Sequence, residues 1–421
     1  MKRTSLLLLV LFPLAACQPA EKAKADSKIH FELAREYLMA GNPEKAVAEA
    51  DAALKADDGN TDAAFLKADV LAKGGHHDEA LQVVEKAGEK LAPPDAYLKE
   101  HWLGMLSFHK GDMEKALDHF NRSVAANAAF ADNYSMIGQT CAKMGKARQA
   151  VEAYEKWTSV EPASERAWSQ YGMALLGAHE LDRAQEALNK ALALNPKSGL
   201  VYNYLGALAV ERHQPKEAEE FFRKSVALDP QNQFAHLNLA QLLILGGRHK
   251  EALAPLTKAL EIQRDNQFAL FYMGRYFQME KDFGKAADYY EKALTKDPKL
   301  WVARTSVAEA ALASAGMYDR AEKVLTEGIE KDPANQQGYY YYSARISLAK
   351  GDNAAALQQA DKAAASLGKD EVLAEADSHL LRGRILSAMN KSAEAKKEFQ
   401  TAAQLAPGTA IEKDAKKQLA R

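Results

Sequence analysis

The chain has 421 residues, 47% of them hydrophobic and 27% charged, with 55 Lys and Arg against 57 Asp and Glu for a formal net charge of −2. That balance offers nothing to attract a polyphosphate backbone, so nucleic-acid binding is excluded as the main role. Two cysteines in the whole chain exclude a disulfide-stapled scaffold. At the start, Lys2 and Arg3 precede an uncharged run from Thr4 to Ala16. The run is too short to cross a bilayer as a helix, which takes roughly 20 apolar residues, and it reads as a signal peptide. That signal occupies residues 1–16.

Leu14, Ala15 and Ala16 lead directly into Cys17. This resembles the lipobox of bacterial lipoproteins, which implies that Cys17 becomes the mature N-terminus, carrying a diacylglyceryl thioether and an amide-linked acyl chain. Several acyl chains, at about 0.8 kcal/mol per buried methylene, make a stable anchor where one chain is marginal. In Gram-negative bacteria the residue after such a cysteine is a sorting signal, and Gln18 permits export to the periplasmic face of the outer membrane. Residues 17–27 then form a lipidated polar tether. At about 3.5 Å per residue it holds the remainder of the chain roughly 30 Å from the membrane. No second apolar run approaches spanning length, and with Cys17 acylated Cys141 has no intrachain partner.

Beyond the tether the sequence repeats. Tyr134-Ser-Met-Ile-Gly138, Trp168-Ser-Gln-Tyr-Gly172 and Tyr202-Asn-Tyr-Leu-Gly206 lie 34 residues apart, and Leu270-Phe-Tyr-Met-Gly274 stands 68 further on. Twelve residues after each glycine stands Ala150, Ala184, Ala218 or Ala286, and twelve after that Pro162, Pro196, Pro230 or Pro298. The pattern resembles the tetratricopeptide repeat, W-x2-L-G-x2-Y, then A-x3-F, then P, at a period of 34 residues. The small residue recurs at Ala46, Ala80, Ala116, Ala252, Ala321, Ala356 and Ala395 as well, giving about eleven units with irregular spacing at Pro93-Pro94 and between Ser366 and Asp377. The resemblance implies an all-α, right-handed superhelical solenoid of helix hairpins over residues 28–407, closed by a capping helix over 408–421.

The positions have physical reasons of their own. Small residues such as Gly172 and Ala184 let two helices approach closely while Trp168, Tyr171 and Leu188 fill the space around them. Gly41, Gly75, Gly111, Gly145, Gly247, Gly316 and Gly351 mark the turns inside hairpins. Ser164, Ser198, Asn232 and Asn335 supply N-caps for the helix after each proline. One hairpin cannot bury its apolar face alone, so neighbours must stack. Thr409-Ala-Ile-Glu412 is a capping box, and Ile411, Ala415 and Leu419 make the single apolar stripe of an otherwise charged last helix.

The register also assigns ordinary roles to residues that invite chemistry. Cys141 falls at a core position and reads as a buried small hydrophobe. His76-His77 lies in a turn without another ligand at metal spacing. No H-E-x-x-H, G-x-S-x-G, P-loop or dinucleotide glycine motif occurs. The expectation is a non-enzyme without metal or cofactor.

In proteins of the resembled family the first helix of each repeat lines a concave groove, through its second, fifth, ninth and twelfth positions. Carried onto this chain, the two repeats before Pro298 place Phe234, Leu237, Gln241, Ile244, Phe268, Phe271, Arg275 and Gln278 there, flanked by Thr305, Tyr341, Arg345, Arg384, Asn203 and Met173. Phe234 and Phe268 either face the groove or pack under neighbouring helices. In the tyrosine run, Tyr340 takes the bulky core position and Tyr341 faces the groove. Asn232-Gln-Phe-Ala235 recurs as Asn266-Gln-Phe-Ala269, a duplicated opening with a capping Asn or a ligand read twice. Aromatics and arginine carry binding energy at interfaces, so the groove suits a peptide or helix of a protein partner. The chain is similar to pilotin-like lipoproteins of type IV pilus assembly and to repeat lipoproteins that recruit peptidoglycan enzymes. The alternative is a polysaccharide-export component in which Tyr341 and Phe271 guide sugar.

Overall fold

A computed structural model describes residues 19–368 and 371–420. The signal segment and Cys17 lie outside the described residues. Among those described, all regular structure is helical, and it falls into two compact units that divide between Lys197 and Ser198.

The first unit holds five hairpins: α1 (Pro19–Met39) with α2 (Pro43–Ala56), α3 (Thr61–Lys73) with α4 (His77–Gly88), α5 (Tyr97–Lys110) with α6 (Met113–Ala126), α7 (Ala131–Lys143) with α8 (Ala147–Val160), and α9 (Glu165–Gly177) with α10 (Leu181–Leu194). The second holds six: α11 (Gly199–Glu211) with α12 (Pro215–Leu228), α13 (Gln233–Leu245) with α14 (His249–Ile262), α15 (Gln267–Met279) with α16 (Phe283–Lys296), α17 (Trp301–Ala313) with α18 (Tyr318–Lys331), α19 (Gln336–Lys350) with α20 (Asn353–Ala365), and α21 (Val372–Ala388) with α22 (Ser392–Leu405). A single helix, α23 (Ala410–Leu419), ends the stack. Within each unit every helix packs on the ones before and after it, so contacts stay local.

Ten of the eleven hairpins are locked by a pair of residues sixteen apart, a small residue on the first helix and its partner on the second. Where the first helix carries glycine, the second delivers a large side chain onto it: Phe120 on Gly104, Tyr154 on Gly138, Phe222 on Gly206, Tyr290 on Gly274 and Phe399 on Gly383. A methyl group on any of these glycines would lie 2.5–2.6 Å from the ring, well inside van der Waals contact. Leu188 on Gly172 follows the same rule, and the backbone oxygen of Ala184 lies 3.4 Å from where that methyl would be. Where the first helix carries alanine, the partner carries no ring: Ala34 with Ala50, Ala68 with Val84, Ala240 with Leu256 and Ala344 with Ala360, all buried.

In ten of the eleven hairpins the corner between paired helices is left-handed, whether or not glycine occupies it. Gly41, Gly75, Gly111, Gly145, Gly247 and Gly351 have positive φ, and so do His179, His213, Lys281 and Asn390 at the equivalent place five residues before their alanines. Gly316 does not; it sits in a short 3-10 turn, Ala315–Met317. Between repeats, three chemically different donors six residues past a proline satisfy its carbonyl. Trp168 Nε1 donates to Pro162 O at 2.9 Å, His236 Nε2 to Pro230 O at 3.1 Å, and Arg304 Nη2 to Pro298 O at 2.8 Å. Burial lowers the His236 pKa, which keeps that ring neutral with its proton on the donating nitrogen.

Three expectations change. The extended tether is helical from Pro19, and Ser27 is buried, its hydroxyl donating to Ala53 O at 2.8 Å. A helix rises about 1.5 Å per residue, so this stretch spans less than half the expected reach. Ser164, Ser198 and Asn232 do cap their helices, but Asn335 donates to Asp332 instead and makes no cap. In the tyrosine run it is Tyr339, not Tyr340, that is fully buried. Gly328 leaves room for its ring beside the buried Arg304, and Tyr339 donates to Asp332 Oδ2 at 2.6 Å. Tyr340 stays half-buried under Lys362.

At the far end Glu412 N donates to Thr409 Oγ1 at 3.3 Å, and Glu412 answers by accepting from Gly408 N at 2.7 Å. Ala415 is buried, with Ile411 and Leu419 packed against the same cluster as Phe399. Cys141 is buried, which raises its thiol pKa and leaves it a weak donor to Gln149.

Candidate functional site

The first helices of successive hairpins place their second, fifth and ninth residues side by side. In the second unit the expected groove residues divide. Phe234 and Phe268 are exposed, at 60% and 45%, on the first turns of α13 and α15. Leu237 and Ile244 are not groove residues: both are buried, because α15 covers them, and they belong to a core cluster with Met273. Asn203 and Thr305 are buried too, Asn203 accepting from Asn238 Nδ2 at 3.0 Å. Gln241 lines a small notch of about 140 Å³ with Val210, Asn238 and Leu245.

Phe271 is half-buried, stacked edge-on against Tyr272 at 5.2 Å and tilted over Tyr290 at 5.6 Å. Gln278 accepts from the Tyr290 hydroxyl at 2.5 Å. Arg275, one turn beyond Phe271, is half-buried and has no hydrogen bond or ion pair among the described residues. Arg345 on α19 lies over Tyr341 and Tyr342 at 5.7 and 5.2 Å, again without a carboxylate partner among the described residues. Tyr342 donates to Glu309 Oε1 at 2.8 Å. Burial and neighbouring acids, Asp377 for Tyr341 and Glu309 for Tyr342, push both phenols above their ordinary range, so both remain neutral donors. Arg384 is tied to Asp414 of α23, and Met173 is exposed in the first unit.

The first unit carries a cleft that the groove rule reaches only when applied to its earliest repeats. It encloses about 390 Å³ and is lined from α1 by Phe31 and Arg35, from α3 by Asp62, Phe65 and Asp69, from α5 by Leu98, His101 and Trp102, and at α7 by Phe130 and Asp132. Phe31, Phe65 and His101 each stand three residues before the small residue of their helix, Ala34, Ala68 and Gly104, which is the groove register itself. The spacing of Ala46, Ala80 and Ala116 was the available signal.

Its floor is held rigidly. Trp102 stacks on Phe65 with ring centres 5.2 Å apart and planes 12° from parallel. His101 is boxed by Phe130, Trp102 and Phe120 at 5.0, 5.6 and 5.7 Å. Ser123 donates to Tyr97 O, which obliges Asn133 Nδ2 to donate to Ser123 Oγ and turns Asn133 Oδ1 toward His101 Nδ1, each at 2.8 Å. Nδ1 therefore carries the proton. Burial outweighs that hydrogen bond and lowers the His101 pKa, so the ring is neutral. Asp69 is held below the usual carboxylate range: burial opposes this, and hydrogen bonds from His109 and Lys73 overcome it. Asp62 and Asp132 have no such partners among the described residues.

No group of three or more His, Cys, Asp or Glu among the described residues gathers at metal-binding distance. The arrangement offers shaped apolar floors with charged rims.

Family models described as tetratricopeptide repeat match residues 209–271 and 278–346, residues 31–96 and 170–233, and residues 131–164 and 376–409. A search of curated proteins finds no match. Among solved structures the chain is similar to the human IFIT1 dimer with PPP-AAAA, at 18% identity and a TM-score of 0.51, over 82% of this chain and 91% of that one. It is also similar to yeast Tom70, at 15% identity and a TM-score of 0.47 over 90% of each chain. A third similarity is to Cut9–Hcn1 of the APC/C, at 11% identity and a TM-score of 0.49 over 96% and 98%. At these identities the likeness concerns the fold alone.

Proposed function

The chain belongs to the tetratricopeptide-repeat family, whose members typically act as protein-interaction scaffolds, and from that premise we propose that it is a lipid-anchored adaptor of the bacterial cell envelope. It holds protein partners against the concave faces of its first helices during assembly of an envelope machine, of the pilus, secretion or peptidoglycan kind. The observation that carries the partner reading is the cleft itself: groove-register residues of four successive first helices line one continuous hollow with an aromatic floor. Such a surface is rich in the residue types that anchor interfaces and lacks any reactive constellation.

The anchoring half of the reading rests on the sequence Leu14-Ala15-Ala16-Cys17 behind a short apolar run. No helix among the described residues is long and apolar enough to cross a membrane, so attachment would fall to Cys17 and its lipid. Gln18 supports a position on the periplasmic face of the outer membrane in a Gram-negative host. The saccharide alternative gains no observation of its own.

Two measurements test this. Cys17→Ser should move the protein from the membrane to the soluble fraction and abolish incorporation of labelled palmitate; retention on the membrane with no lipid label would remove the anchor. A photo-reactive residue at Leu98 or Phe268 should crosslink in intact cells to discrete protein bands. Crosslinks to lipid or saccharide alone would remove the protein-partner reading.

A further inference from the structure

We propose that the cleft across α1, α3, α5 and α7 takes an extended partner segment in which two Lys or Arg side chains flank an apolar centre. The inference rests on the protein-partner reading and adds its chemistry. Asp62, Leu98 and Asp132 occupy the same register place, six residues before the small residue of α3, α5 and α7, so the rim alternates acid, apolar, acid. Between them the floor is Phe65 stacked on Trp102.

The cations already present are committed elsewhere. Arg35 pairs with Glu32 at 3.0 Å and leans over Phe31, while Lys73 and His109 both serve Asp69, at 2.6 and 3.2 Å. Asp62 and Asp132 are exposed and make no ion pair among the described residues. Both stand in first helical turns, where the helix N-terminus favours a negative charge, and both are available to a ligand.

An ammonium or guanidinium reaching either acid would pass its aliphatic stem along an aromatic face, the geometry that strengthens such contacts. An acidic segment would meet two unscreened carboxylates. Packed helices lie about 8–10 Å apart, so two intervals place the acids roughly 16–20 Å from one another. An extended chain covers that in about five or six residues. The spacing of the two cations is therefore part of the recognition.

The test is fluorescence anisotropy on the full chain with three labelled peptides. The first has two lysines six residues apart around a Leu-Phe-Leu centre; the second has glutamates in place of the lysines; the third has the same lysines adjacent. The first should bind at least tenfold more tightly than either of the others, and more weakly as salt is raised. Asp62→Asn with Asp132→Asn should cost the first peptide tenfold or more with the thermal melt unchanged. Asp62→Lys with Asp132→Lys should invert the preference toward the glutamate peptide. Equal binding of the lysine and glutamate peptides, or no binding of any, overturns the proposal. The partner reading is judged separately, by whether Leu98 still crosslinks to protein in cells.

Discussion

The two units leave opposite charges unspent in the groove register, acids at its second position in the first unit and arginines at its ninth in the second. In the first, Asp62 and Asp132 are the unspent charges around Phe65 and Trp102; in the second, Arg275 and Arg345 are unspent beside Phe271 and Tyr341. The hairpin lock beneath is shared, Phe120 on Gly104 in one unit and Tyr290 on Gly274 in the other. The fold therefore fixes where a side chain points and leaves its charge open. A scaffold built this way can present two chemically distinct faces without any change in its core.

The comparison is most easily broken from below. Phe120→Ala removes a fully buried ring from beneath both Gly104 and His101 and should cost about 3–5 kcal/mol, read as a fall in the denaturant midpoint. Peptide binding to the first cleft should go with it. If stability held, the shared lock would not be what supports the cleft. Asn133→Ala is gentler: it leaves His101 Nδ1 without its acceptor and Ser123 Oγ without its donor, at about 1–3 kcal/mol by the same measurement.

The buried imidazole gives the first unit a pH dependence of known sign. Its pKa lies below 6.5 in the folded state, so below pH 6.5 the unfolded chain takes up a proton that the folded chain refuses. Stability is complete above that pH and falls on acidification toward the folded pKa. His101→Gln should flatten part of the slope between pH 7 and 5 in thermal melts. A slope identical to that of the parent chain would contradict the neutral ring.

Smaller effects sharpen the contrast. His213→Gly relieves a left-handed residue at φ 58° and should stabilise by about 1 kcal/mol. Arg275→Ala should change stability by no more than about 0.5 kcal/mol in denaturant unfolding, because that cation makes no hydrogen bond or ion pair among the described residues. A large loss there would mean the second face is structural rather than presented.

Most of the architecture was legible in the sequence because the repeat is written in residues that cannot be exchanged. Glycine at 172 must meet Leu188, and the corner five residues before the alanine turns left in every hairpin but the one at Gly316. What escaped was governed by neighbours rather than by position. Leu237 and Ile244 hold groove places yet are covered by the adjoining helix, which a position rule cannot see. Tyr339 displaced Tyr340 from the core because Gly328 opened space in another helix. The helix beginning at Pro19 was hidden by polar residues that pack one face only through Ser27 and Ala34. The first cleft was within reach, since its residues keep the register, but Pro93-Pro94 breaks the 34-residue spacing between the helices that line it.

The size match across each hairpin constrains how such a chain can be recombined. Helices α13 and α15 open with the same four residues, Asn-Gln-Phe-Ala, and look interchangeable at that end. Exchanged alone, they are not: Ala240 would bring a methyl group into the ring of Tyr290, and Gly274 would leave a void under Leu256. Gene duplication, or a designer shuffling modules, must move both helices together, so the smallest tradable piece of this protein is a matched pair.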